Sequence, residues 1–401
     1  MKLVKLSLSL FSLLLFASSC LHTPQKPIEE IVDEALALSA EQSLRMYEIL
    51  ENKEALLPRS IKADGELMTC KSSWWTSGFF PGTLWYLYEN SQDQHVKKAA
   101  LTMSERVKDQ QYTTDNHDVG FIIMCSYGNA YRLTNDSSFI PIIEQTAQSL
   151  STRFSSEVGC IKSWDNKKWS FPVIIDNMMN LELLTTASRL TGNKDYYRLA
   201  TSHADKTREC HFRPDGSSFH LVNYDQKTGD VLNQQTVQGF SDSSSWARGQ
   251  AWGLYGYTMM YRETGDKTYL DFAQKIANYL MYHPGMPSDK IPYWDFNCPD
   301  IPHTYRDASA GAIIASALIE LSTLVDDKIK EKEYLGFAQQ QIRSLASDNY
   351  MAKPGENRNF ILKHSVGFKA KGYELDVPLS YADYYFVEAL VRYKRILSGN
   401  N

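Results

Sequence analysis

Cysteine is scarce in this 401-residue chain and badly spaced for structural use. Of six, Cys20 stands at the end of an N-terminal apolar segment. The remaining Cys70, Cys125, Cys160, Cys210 and Cys298 are odd in number and contain no Cys-x-x-Cys spacing. Such a set gives neither a disulfide framework nor a zinc site, and no metal or organic cofactor is expected. An excess of charge of one sign is missing as well. The net charge is −5, with no basic stripe, so nucleic acid is not an expected partner. Alternating stretches that would signal strands are few, and the apolar run near the N-terminus is too short to span a bilayer comfortably.

What the chain has in quantity is aromatic rings: 24 Tyr, 17 Phe and 8 Trp, or 12% of all residues. Tyr and Trp combine a flat apolar face with a polar handle, a surface suited to sugar rings. The apolar fraction of 43% against 22% charged residues is that of a globular protein rather than a disordered one.

Lys2 and Lys5, an apolar stretch from Leu6 to Phe16, and then Ala17-Ser18-Ser19-Cys20 predict an export signal over residues 1–20. The small residues before Cys20 point to lipidation of that cysteine, the plainer alternative being a cleaved signal beside a chance cysteine. The expected location is the periplasm, or the outer membrane of a bacterium with the lipid as sole membrane contact. Residues 21–27 read as a linker, and 28–401 as a single catalytic domain. Oligomeric state is not legible.

From Pro27 onward apolar residues recur at three- and four-residue spacing in about twelve segments, beginning near Ile28, Gly78, Asp93, Asp118, Asp136, Asp176, Asn193, Trp246, Asp266, Asp307, Lys330 and Ser380. Strand character is clearest from Ser217 to Tyr224, ahead of a Thr228-Gly229-Asp230 turn, which predicts one small β-hairpin excursion. Three echoes, Arg132-Leu-Thr-Asn-Asp, Arg189-Leu-Thr-Gly-Asn and Arg262-Glu-Thr-Gly-Asp, each end one helix just before the next. Every second helix is apolar nearly all round or rich in Gly and Ala, hence buried, while those between carry a solvated face. The pattern predicts an all-α fold, an (α/α)6 barrel of six helical hairpins whose inner helices all start at one mouth.

The starts of the inner helices bring together Trp74, Trp75, His117, Asp118, Asp176, Asn177, Trp246, Arg248, Gln250, Trp252, Arg306, Asp307, Tyr381, Asp383 and Tyr384. Flat faces, forked donors and carboxylic acids are what a carbohydrate site needs. Each residue also has a plain reading: Asp118, Asp176 or Asp307 as an N-cap, Arg248 paired with Asp242, the tryptophans as core, His117 as a structural histidine. Convergence favours the site, because the opposite ends of the same helices read as largely Leu, Ile, Ala and Tyr. Asp176 lies between Phe171-Pro-Val-Ile-Ile and Met178-Met179, where desolvation raises a carboxyl pKa, and Asp118 is its candidate partner.

Trp75-Thr-Ser-Gly-Phe-Phe-Pro-Gly, Asn116-His-Asp-Val-Gly-Phe, Phe171-Pro-Val-Ile-Ile-Asp-Asn-Met-Met-Asn-Leu, the long stretch from Gln238 to Gly253, and Asp383-Tyr-Tyr-Phe-Val-Glu-Ala-Leu together resemble the unsaturated glucuronyl hydrolases, glycoside hydrolase family 88, over nearly the whole mature chain. The resemblance implies an (α/α)6 barrel that releases a terminal 4,5-unsaturated uronic acid from oligosaccharides left by polysaccharide lyases. It implies hydration of the C4=C5 double bond rather than attack at C1. By motif match Asp176 is the general acid and base and Asp118 its partner; Arg248 and Gln238 hold the ring carboxylate and hydroxyls, and His117 and His220 bind substrate. Trp75, Trp164, Trp246 and Trp252 are the aromatic walls. Val237 stands where related enzymes often have His. Glycosaminoglycan fragments are the expected class, with Lys363, Ser365, Lys369 and Lys371 as candidates for sulfate tolerance.

Three other readings stand beside this one. An unsaturated rhamnogalacturonyl hydrolase shares the barrel and chemistry, but the Ser245-Trp-Ala-Arg-Gly-Gln-Ala-Trp block has the glucuronyl look. A sugar epimerase on such a barrel would carry more mouth histidines than His117 and His220. A non-catalytic glycan-binding lipoprotein explains the aromatic mouth but not a buried Asp176.

Overall fold

The computed structural model describes residues 26–53 and 56–399. The expected signal, the lipidation site Cys20 and most of the linker lie outside the described residues. Six outer helices, α1 (Ile28–Leu50), α3 (Gln94–Glu105), α6 (Ile140–Ser151), α8 (Lys194–Cys210), α10 (Lys267–Tyr282) and α12 (Lys328–Leu345), alternate along the chain with six inner ones. The inner set is α2 (Phe79–Ser91), α4 (Val119–Ile123) continued through a π-helical turn into α5 (Asn129–Thr134), α7 (Leu181–Thr191), α9 (Ala247–Thr264), α11 (Ala308–Leu324) and α13 (Ser380–Leu397). Each inner helix packs on the next and α13 packs on α2, which closes the ring. This is the expected (α/α)6 barrel.

Helix character follows position. In α10 the buried residues are Tyr269, Leu270, Ala273, Ile276, Ala277 and Leu280, one stripe at helical period. In α9 every residue from Ala247 to Met260 is buried, because ring neighbours flank it and α10 and α8 cover its back. The three sequence echoes are hairpin turns. Asn135, Gly192 and Gly265 end α5, α7 and α9 in the left-handed conformation. The side chains of Asp136, Asn193 and Asp266 then cap the next helical turn.

Strands are more numerous than one excursion. The expected hairpin is β6 (Leu221–Tyr224) with β7 (Val231–Gln235), but β5 (Phe171–Ile174) pairs with β6 to make three strands. Three further ribbons, β1 (Leu57–Ile61) with β2 (Leu67–Cys70), β3 (Phe154–Ser155) with β4 (Cys160–Ile161), and β8 (Ser365–Phe368) with β9 (Tyr373–Val377), occupy other connections. All are too short to show alternation, and β5, buried at every residue, reads in sequence as an apolar lead-in to Asp176.

An aromatic layer fills the middle of the barrel, with Phe79, Phe121, Trp252, Tyr384 and Tyr385 at edge or tilted contact. Below it the inner-helix C-termini differ from expectation. They line a charged cavity in which Arg262 donates to Glu182 and, at 2.6 Å, to Glu320, while Arg392 pairs with Glu320 at 3.0 Å and Glu388 at 3.2 Å. Charge is therefore present at both ends. At this end it is neutralised between adjacent helices, which only the ring order reveals.

Candidate active site

A cleft of about 630 Å³, counting its open mouth, lies at the N-terminal end of the inner helices. His117, Asp118, Asp176, Gln238, Arg248, Trp75 and Trp164 all line it. Sequence positions spread over more than a hundred residues thus meet where the ring geometry predicts.

Strand pairing delivers the central carboxylate. Ile174 lies opposite Leu221, and the Ile175 N–H donates to the His220 carbonyl at 3.0 Å, so Asp176, in the 3-10 turn Ile175–Asn180 that precedes α7, emerges beside His220. The Asp176 side chain caps no helix, and its Oδ2 atom is buried without a hydrogen-bond partner. Burial pushes its carboxyl up to about 6, against the pull of Arg248 and His117, and Asp118 pushes in the same upward direction. The carboxyl therefore keeps its proton to a higher pH than an ordinary aspartic acid does, on a group with no structural duty.

Asp118 opens α4, and it too caps nothing with its side chain. Its backbone N–H donates to Asn116 Oδ1 at 3.0 Å, and Asn116 bridges to Trp164, which ties the Asp118 wall to the tryptophan wall. Burial raises the Asp118 carboxyl to about 7, opposed by Arg153. His117 Nε2 lies 3.5 Å from Asp118 Oδ1, and burial drives this fully enclosed imidazole down to about 4. The capping interpretation survives for Asp307 alone, whose Oδ1 accepts from the Ser309 N–H at 3.1 Å and the Ala310 N–H at 3.4 Å.

Arg248 reaches the cleft with its fork already engaged. It donates to the Val366 carbonyl, to the Gly367 carbonyl and Gln238 Oε1, both at 2.8 Å, and lies 3.5 Å from Asp307 Oδ2. Asp242, the partner suggested by sequence proximity, instead accepts from the Thr236 N–H at 2.7 Å. A free bidentate grip on a carboxylate is thus not what the structure offers. Arg248 contributes positive charge and fixes Gln238.

Two tryptophans stand elsewhere than expected. Trp252 is 0% exposed within the aromatic layer against Phe121 and Tyr385, and it does not line the cleft. Six residues along α9 from Trp246 is about 9 Å, a drop below the mouth. Trp246 lies behind His220, in edge contact at 4.9 Å, and under the Arg248 guanidinium at 4.5 Å. It backs the site rather than walling it.

The β8–β9 hairpin supplies lining residues that sequence reasoning missed: Gly367, Phe368, Tyr373 and Glu374. Glu374 pairs with Arg59 at 2.6 Å, and Arg59 lies over Trp74 at 3.9 Å. Gly367 has no alternative, because a Cβ there would come within 2.5 Å of Glu374. The signal available in the sequence is the glycine itself, between Lys363 and Lys371. Ser365 is buried and Lys363 Nζ donates to the Asp348 carbonyl at 2.7 Å; neither lines the cleft, nor do Lys369 and Lys371.

The family model for Glycosyl Hydrolase Family 88 matches residues 58–396. An unsaturated glucuronyl hydrolase of Formosa agariphila is 43% identical over 367 residues, covering 88% of this chain and 91% of the relative. An unsaturated chondroitin disaccharide hydrolase of Streptococcus pneumoniae is 32% identical over 325 residues, covering 80% and 81%. Among solved structures, an unsaturated glucuronyl hydrolase specific for heparin is 46% identical, with a TM-score of 0.89 over 92% of this chain and 98% of its own. The match in sequence, in ring architecture and in a cleft built around paired carboxylates leads to one assignment: the chain belongs to glycosyl hydrolase family 88.

Proposed function

We propose that this enzyme releases a terminal 4,5-unsaturated uronic acid from lyase-generated oligosaccharides by hydrating the C4=C5 double bond. The observation that carries the reading is Asp176: a buried carboxyl, one oxygen unpartnered, its pKa raised to about 6, facing a cleft with Asp118 across from it. In this reading Asp176 gives its proton to C4 as the double-bond electrons form the new C–H bond. Water then adds at C5 and returns a proton to the Asp176 carboxylate, leaving the acid as it began. The product at C5 is a hemiketal, which opens and lets the remaining sugar go without displacement at C1. Asp118 adds to the upward push on the Asp176 carboxyl and positions the ring, His220 and His117 serve as neutral hydrogen-bond partners, and Arg248 with Gln238 faces the uronate carboxylate and hydroxyls.

Glycosaminoglycan fragments are the proposed substrate class, supported by relatives described as acting on chondroitin disaccharides and as specific for heparin. The test is a panel of lyase-made disaccharides, sulfated and unsulfated, followed by loss of ultraviolet absorbance of the conjugated double bond. No turnover of any member would overturn the reading.

Export is part of the same proposal, with Cys20 lipidated and residues 28–401 working as one catalytic domain. The basic start, apolar stretch and small residues before Cys20 support it. Palmitate labelling of the parent, lost in Cys20→Ala, is the expected result; labelling of both or of neither counts against it.

A further inference from the structure

The tryptophan wall does not stop at the mouth. Trp164 lines the cleft, and Trp169 stands next to it, ring centroids 5.8 Å apart, on the exposed connection leading to β5. That connection is built: Asn166 Oδ1 accepts from the backbone N–H of Lys168 at 3.0 Å and of Trp169 at 3.4 Å, and Trp169 Nε1 donates to Gln235 Oε1 at 3.1 Å. Gln235 ends β7, three residues before the cleft residue Gln238. Lys168 holds its ammonium 4.5 Å from the Trp169 ring, and neither it nor the exposed Lys167 has an ion-pair partner among the described residues. Asp165, the nearby acid, is taken up by Arg153 at 2.8 Å and Lys162 at 3.2 Å.

We propose that Trp169 with Lys167 and Lys168 forms an outer subsite for the third sugar of an acidic oligosaccharide, continuing the path over Trp164. The inference rests on the proposed reaction, and it adds a preference for chain length and charge that the reaction itself does not require. An aromatic face beside an unpaired ammonium suits a sugar ring carrying a carboxylate or sulfate. A disaccharide is too short to reach it.

The test compares an unsaturated disaccharide with the unsaturated tetrasaccharide of the same unsulfated glycosaminoglycan, using the full chain. Trp169→Ala should raise KM for the tetrasaccharide about fivefold, the scale of one exposed stacking or cation–π contact, and change disaccharide kcat/KM less than twofold. Lys168→Glu, a substitution at an exposed position, should do the same and weaken the salt dependence of tetrasaccharide KM. Lys371→Glu, at an exposed position between β8 and β9 outside the cleft lining, is the control and should leave the ratio unchanged. Equal effects on both substrates, no effect on either, or the same loss in Lys371→Glu would overturn the subsite while leaving the reaction assignment standing. If the parent turned over neither substrate, the reaction assignment and the subsite would both fall.

Discussion

The Nε2 atom of His220 lies 3.8 Å from Asp176 Oδ2 and carries the ring's proton, because Nδ1 already accepts from the backbone N–H of Val237 at 2.9 Å. Burial drives this imidazole down to about 3, so it faces the acid as a neutral donor. The gap is too long for a direct hydrogen bond, and both atoms are buried without a partner. Removing the donor in His220→Ala should lower kcat roughly 10- to 100-fold, the weight of one buried hydrogen bond to a developing charge. Unaltered kcat would make His220 a support for the Val237–Gln238 segment only.

Asp176→Asn should reduce turnover roughly 10²- to 10⁴-fold or more. It should also stabilise the protein at neutral pH. A carboxyl raised from near 3.8 to about 6 binds its proton more tightly when folded, so stability falls as pH rises through that interval, by about 2–3 kcal/mol. Asparagine escapes that loss. Melting at pH 8 should favour the variant, and the gain should disappear near pH 4; a variant less stable than the parent at pH 8 would contradict this account.

Asp118→Asn removes the second buried carboxyl of a coupled pair, whose ionised form pushes the Asp176 pKa up. The alkaline limb of kcat/KM, set by loss of the pair's last proton, should move to lower pH when Asp176 stands alone, together with a severe drop in rate. No histidine limb is expected between pH 5 and 8, since His117 and His220 are held at about 4 and about 3. A profile superimposable on the parent's would remove Asp118 from the pair.

Arg248→Ala should destabilise the fold as well as weaken binding. It strands the fully buried Asp307 and leaves the Val366 and Gly367 carbonyls without their donor, a change of about 3–5 kcal/mol when one partner of a buried pair is removed. Thermal unfolding alongside KM checks it; a raised KM at unchanged melting temperature would restore the free-fork role.

These substitutions mark where sequence sufficed. Asp118 and Asp176 were legible because each begins an inner helix and, in a ring, such starts converge. The engagement of Arg248 was not, since its carbonyl partners lie 118 and 119 residues downstream on a ribbon too short to show a period. Trp252 was misplaced for a different reason: a motif records that a residue is required, whereas its depth below the mouth depends on helical rise. The charged cavity under the barrel stayed hidden until the order of neighbouring helices paired Arg262 with Glu182 and Glu320.

Hydration and direct displacement leave different isotopic traces. In heavy water the released keto-acid should carry deuterium at C4, and the saturated glucuronide with the same aglycone should remain uncleaved. An unlabelled C4, or comparable cleavage of the saturated compound, would return this barrel to two-carboxylate glycosidase chemistry.

Closure of the ring ties the two ends of the described chain to one event. Tyr86 donates to Glu388 across 302 residues at 2.6 Å, and Arg59 holds Glu374 across 315. Tyr381, against Trp75 at 4.9 Å, and the hairpin that grips Arg248 are the last pieces of the cleft to be synthesised. A nascent chain short of α13 is an open arc of five inner helices, without the Tyr381 wall of the cleft. Catalytic competence therefore arrives all at once, with the final hairpin, and long-range docking of this kind sets a slow pace for folding. Any partner that keeps the last helix from docking keeps the enzyme silent without touching either carboxylate.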